Sequence, residues 1–363
     1  MSAISAISIV DGNFSVLEAT AGLVTAMGFA AAAYQHEATA LLQRVLRGEN
    51  APDATLRTTG RIAFTRREPR HPLSASDIVP EGASFIEGTY SNSAGSRAYR
   101  LFIPSNYQGQ PLPLIVMLHG ATQSPDDFAA GTRMNFIAEE QSCFVVYPEQ
   151  CSGANQAKCW NWFRTADQQR DRGEPSLIAG ITRQIMRDYS VDSKRVYVAG
   201  LSAGAAAAAI MGATYSDLYA AIGVHSGLAC GAAIDLPSAF VAMRQGGADD
   251  RAISNDGPSV PTIVFHGDCD RMVHPTNGVQ ILEQSLRTAS TPEEVHRGQV
   301  PGGHCYTRTI HADASGRGLI EHWNIHGAGH AWSGGSPAGS YTDPRGPDAT
   351  REMLRFFLEH SLP

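Results

Sequence analysis

The stretch YVAGLSAGAAAAAIMG, Tyr197 to Gly212, constrains this chain more than any other. A strand-like run, RVYVA, leads into Gly200-Leu201-Ser202-Ala203-Gly204, and an alanine-rich helix former follows. A G-x-S-x-G set between a strand and a helix predicts a sharp turn with the serine at its tip. Backbone bent that tightly tolerates almost no side chain nearby, which is the physical reason for the glycines. The competing reading makes Ser202 a small residue in a small-residue helix, and it leaves the preceding strand unexplained. Ser202 is therefore predicted to be a nucleophile.

Such a turn needs a sheet behind it. The apolar runs LIVMLHG, CFVVYPEQ, RVYVAG, AAIGVHSG and TIVFHG alternate with helix-like segments. That alternation predicts an α/β fold, a mostly parallel central sheet with helices on both faces. Before it, SFIEGTY and RAYRLFIP flank SNSAGS and predict a β-hairpin. After it, YTRTIHADASGRGLIEHWNIHG returns to strand alternation, and DATREMLRFFLEH reads as a closing amphipathic helix. In such sheets chemistry collects at the carboxyl ends of strands. Three runs end there in MLHG, VHSG and VFHG.

Upstream, HEATALLQRVLRG carries an apolar stripe of Ala38, Leu41, Leu42, Val45 and Leu46 and stops at Gly48. The polar segment that follows is punctuated by Pro52, Pro69, Pro72 and Pro80. Residues 1–80 thus read as an N-terminal helical extension with a linker, and 81–363 as one catalytic domain. The extension is also the candidate contact for a homodimer.

A nucleophile needs a base, and the base needs an orienting acid. Behind a G-x-S-x-G turn the chain order is serine, acid, histidine. In HGAGHAWSGG, His330 follows a predicted strand in a glycine-rich loop and is the expected base, while His326 ends that strand. An i,i+4 metal pair from these two would need a helix, which the intervening Gly-Ala-Gly disfavours, so no metal is expected. In TIVFHGDCDRMVHP, Asp270 is the expected acid and Asp268 a turn cap. An ionised carboxylate on the imidazole would fix its tautomer and stabilise the imidazolium. The oxyanion would be held by the amide of Ala203 and by that of Ala121 or Thr122, in LIVMLHGATQS. Trp160 and Trp162 in KCWNWF, Trp332 and His119 are the candidates to line a substrate pocket. Packing the insertion is the rival role for the first two, and stabilising a turn the rival role for His119 and His266. The scheme requires no cofactor.

Composition sets the outer bounds. The chain has 363 residues, 43% hydrophobic and 17% charged, enough for a substantial core. A net charge of −7 lacks the basic footprint of a nucleic-acid binder. No apolar run reaches the ~20 residues of a membrane span. The first thirty residues are apolar but contain Asp11 and Glu18 and lack a basic start. These features favour the cytoplasm, with a secreted or periplasmic location left open. Of six cysteines, Cys151 with Cys159 and Cys269 with Cys305 are the spacings open to pairing, against a default of six free thiols.

Taken together, LIVMLHGATQSPDDFAAGTRMN, CWNWF, VYVAGLSAGAAAAAIMGATYSDLYAAIGVHSGL, HGDCDRMVHPTNG and EHWNIHGAGHAWSGG resemble the poly(3-hydroxybutyrate) depolymerase family of esterases. The resemblance runs from about Ser84 to the C-terminus, and the EATALLQRVLRG extension is similar to that of a branch without secretion features. It implies an α/β-hydrolase fold related to feruloyl and acetylxylan esterases. By motif it implies Ser202, Asp270 and His330 as the catalytic triad. One departure is Ala121, where relatives often carry cysteine; a backbone donor survives that change. The family's members act on polyesters, oligomeric hydroxyacids, aryl esters and, in one group, poly(aspartic acid) amides. No Thr- or Ser-rich linker or separate polymer-binding module follows the last predicted helix, so soluble oligomers, amorphous polymer or small esters are the expected substrates.

Overall fold

The computed structural model describes residues 73–247, 260–286, 293–312 and 318–363, all within one compact unit, Thr65–Pro363. The helix expected at 36–48 lies outside the described residues. The described chain opens with a short helix, α1 (Ala75–Ile78), and then the expected hairpin. Its strands β1 (Ser84–Asn92) and β2 (Gly95–Ile103) pair antiparallel from Ser84↔Ile103 to Asn92↔Gly95.

The remaining strands of the main sheet are β3 (Leu112–Leu118), β4 (Phe144–Pro148), β5 (Val191–Leu201), β6 (Ala221–His225), β7 (Thr262–Gly267), β8 (Glu293–Gln299), β9 (Cys305–Ala312) and β10 (Gly318–His326). They lie in the order β1-β2-β4-β3-β5-β6-β7-β10-β9-β8. The six central strands, β4 to β10 in that order, are all parallel. Antiparallel pairs finish both edges. The crossovers are helical: α2 (Pro125–Thr132), α3 (Met134–Gln141), α4 (Gly173–Asp188), α5 (Ala203–Thr214), α6 (Leu236–Gln245), α7 (Thr276–Leu286) and the closing α8 (Ala349–Leu358).

Strand alternation sorts the core into two layers. On one face Leu114, Val116 and Leu118 of β3 join Ile178, Ile181 and Ile185 of α4 and the alanines of α5. On the other, Ile115 and Met117 join Phe128 of α2, Met134 of α3, and Met353, Leu354, Phe356 and Phe357 of α8. Because α5 presents Ala205 to Ala209, it lies close against the sheet, and every residue from Ala203 to Gly212 is buried. Near the far edge, the buried Glu321 of β10 accepts from Arg308 of β9 and from Arg355 of α8, tying helix to sheet.

One strand carries no sequence signal. In β8, EEVHRGQ, every residue but Gly298 is exposed, so neither face alternates, and its pairing with β9 is what makes it a strand. All six cysteines are free, so neither candidate pairing is formed. Among the described residues, no helix is long and apolar enough to cross a membrane.

Candidate active site

Register brings the three expected catalytic residues to one end of the sheet. Leu201 pairs with His225, His225 with Phe265, and Gly267 with Ile325, so the loops after β5, β7 and β10 leave side by side. Ser202 stands at the first of these exits with φ 57° and ψ −118°. For a serine that conformation costs on the order of 1–3 kcal/mol. Its surroundings hold it there. The Ser202 amide donates to the His225 carbonyl at 2.9 Å. A Cβ on Gly200 would collide with the Gly204 backbone, and one on Gly204 with the carbonyls of Leu118 and His119. Both glycines of the motif are thus fixed by backbone approach.

Asp270 and His330 meet across the next two loops. His330 donates from Nδ1 to Asp270 Oδ2 at 2.7 Å, which leaves Nε2 as the basic nitrogen. The Asp270 side chain is 0% exposed and that of His330 6%. Burial by itself would raise the Asp270 carboxyl. The bond from His330, with the Val273 amide and the nearby His266, outweighs it and holds the group below its ordinary value. Amides of Met272 and Val273 both reach Oδ1 at 2.9 Å. The carboxylate is therefore anionic and oriented. Among the described residues the Ser202 hydroxyl has no hydrogen-bond partner; serine–histidine bonds commonly tighten only as substrate binds.

Two amides stand ready beside the serine. As the first residue of α5, Ala203 carries one of the donors that a helix leaves unpaired, at the positive end of its dipole. A Cβ on Gly120 would lie 3.7 Å from Ser202 Cβ, so the Gly120–Ala121 peptide borders that serine. Of the two donors expected there, Thr122 is corrected: its amide is already given to the Ala157 carbonyl at 2.7 Å. The Ala121 amide makes no hydrogen bond among the described residues. His119 fixes that peptide, its Nε2 accepting from the Gln150 amide and its Nδ1–H donating to the Gly120 carbonyl at 2.8 Å. Burial pushes its pKa down to about 4, so it stays neutral.

The expected pocket lining is also corrected. Trp160, Trp332 and His119 are no more than 1% exposed and Trp162 is 5% exposed, so none presents a face to a ligand. Their polar atoms are spent inside the protein: Trp160 Nε1 donates to the His119 carbonyl, and Trp332 Nε1 to Thr350 Oγ1. These aromatics support the loops.

Asp268 and His326, the neighbours of the main pair, form a couple of their own at 3.0 Å, and Asp268 also accepts from the Gly327 amide at 2.7 Å. Thr307 Oγ1 lies 2.9 Å from His326 Nε2. Sequence reasoning had no signal for Ala157 or Thr307, which act across 35 and 19 residues. His225 had one, the VHSG strand end, but not its partner.

With this geometry in place, comparison with known proteins is decisive for the family. Residues 97–294 match the family described as Esterase PHB depolymerase. The chain belongs to that family. It is 32% identical over 228 residues to poly(3-hydroxyalkanoate) depolymerase C of Paucimonas lemoignei, covering 60% of this chain and 54% of that protein. It is also 26% identical over 220 residues to a probable acetylxylan esterase A of Aspergillus clavatus, covering 56% of this chain and 70% of the relative. The chain thus spans about half the length of the first relative. Among solved structures, an acetyl xylan esterase from Aspergillus awamori superposes with a TM-score of 0.61 at 19% identity, over 76% of this chain and 99% of the other. The fold is that of the α/β-hydrolases.

Proposed function

We propose that this family member is a serine carboxylic ester hydrolase, acting on poly- or oligo-(3-hydroxyalkanoate)-type polyesters or related small esters. The observation that carries the reading is the buried Asp270–His330 couple at the sheet end where Ser202 sits strained. The similarity to a poly(3-hydroxyalkanoate) depolymerase and to acetylxylan esterases supports ester chemistry. His330 Nε2 takes the Ser202 Oγ proton as Oγ attacks the ester carbonyl. The amides of Ala203 and Ala121 hold the oxyanion. His330 returns the proton to the departing alkoxide, which leaves as the alcohol. Water, deprotonated by the same imidazole, then cleaves the acyl-enzyme and frees the acid and Ser202. Residues 81–363 carry the catalytic chemistry in this proposal, and 1–80 are an N-terminal extension to them.

A fluorophosphonate probe tests the nucleophile, with labelling expected in the wild type and absent in Ser202→Ala. A wild type that resists the probe would sink the reading. Initial rates on hydroxybutyrate oligomers, aryl esters and poly(aspartic acid) then rank the substrate classes. Fastest turnover of the last would replace ester with amide hydrolysis.

A further inference from the structure

His225, at the end of β6, touches the nucleophile's turn and the base's loop at once. Its carbonyl accepts from the Ser202 amide at 2.9 Å. Its Nε2 accepts from the Ser333 amide at 3.0 Å, three residues beyond His330. That bond places the ring proton on Nδ1, which faces Ser226 Oγ at 3.2 Å. The ring lies between Phe265, centroids 5.7 Å apart, and Trp332, centroids 5.1 Å apart, both near parallel. Trp332 in turn donates its amide to Tyr341 and its indole to Thr350, and Ser333 Oγ donates to the Pro347 carbonyl. The segment after His330 is thus moored at several points, and His225 is the one that also holds the serine.

We infer that His225 is a positioning residue, whose Nε2 lone pair fixes the His330 loop in register with the Ser202 turn. The inference rests on the reading of Ser202 and His330 as nucleophile and base. An imidazole serves because its flat ring fills the aromatic slot while its edge offers an acceptor. Burial pushes its pKa down to about 3, so the acceptor persists across the working pH range. Without it the Ser333 amide would be left unpaired in the core, and the loop would relax away. A base displaced by about 1 Å loses roughly a hundredfold in rate.

Steady-state kinetics on 4-nitrophenyl butyrate test this, with unfolding midpoints measured in parallel. His225→Phe keeps the stack and removes the acceptor; kcat should fall about a hundredfold while KM changes little. His225→Gln restores an acceptor oxygen near the Nε2 position and should recover kcat to within about tenfold of wild type. His225→Asn places its acceptor near Nδ1 instead and should not recover. A His225→Phe enzyme at wild-type kcat overturns the inference, as does equal activity of the Gln and Asn variants. Ser202→Ala separates the two claims. A dead Ser202→Ala beside a fully active His225→Phe refutes only the positioning role, whereas activity surviving in Ser202→Ala refutes the serine reading.

Discussion

Two Asp–His couples stand where β7 and β10 end. Asp268–His326 and Asp270–His330 share residue types, strand exits and the Nδ1-to-carboxylate contact. They differ in solvent. The side chains of the first are 36% and 40% exposed, those of the second 0% and 6%. In water the first couple is a surface staple, screened and worth little. Sealed from water and held by two further amides, the second keeps one geometry and one tautomer. The two couples share their chemical identity; the environment sets them apart.

Loss of the carboxylate charge divides the two couples outright. Asp270→Asn should lower kcat by about 10,000-fold by removing the charge that orients the imidazole. Asp268→Asn should leave kcat/KM near the wild-type value. Comparable losses in both would break the distinction.

Acid stability sharpens it next. Burial holds His119 down to about 4 and His225 to about 3, and lowers His266. In the unfolded chain these histidines titrate near pH 6.5, so below that pH the unfolded state binds more protons. Stability should be full above pH 6.5 and fall towards pH 4, by up to about 1.4 kcal/mol per pH unit for each histidine. Asp268 and Asp270, both below their ordinary values, add losses only below about pH 4. Denaturant midpoints across pH 4–8 would read the slope, and a flat profile would contradict the buried, neutral imidazoles.

Backbone strain separates the buried site from its surroundings. Ser202→Gly should abolish esterase activity yet raise stability by roughly 1–2 kcal/mol, since glycine relieves the strained φ. The smallest effect belongs to the exposed couple. His326→Gln should change stability by less than about 1 kcal/mol, by the same denaturant measurement.

Much of this was legible in residue order. Local backbone demands wrote Ser202 between glycines, and short continuous apolar runs spaced by helix-like segments wrote the parallel strands. Asp270 and His330 followed because the loops at strand ends are where such a sheet can bring side chains together. Other features have no local signature. β8 is exposed on both faces and owes its existence to β9. The burial of Trp160 and Trp162 depends on how the insertion folds inward. Thr122 was as good a donor as Ala121 until Ala157 took its amide.

Residue order alone was enough for the strand–turn–helix around Ser202 and for the alternation of strand and helix that builds the sheet. Each depends on neighbours within a few residues, where sterics and periodicity act. Tertiary structure alone decided which Asp–His couple is sealed from water, which amide stays free, and that His225 joins two loops 131 residues apart, Ser202 to Ser333. Burial and hydrogen-bond pairing belong to the whole packed chain, and no window of sequence contains them.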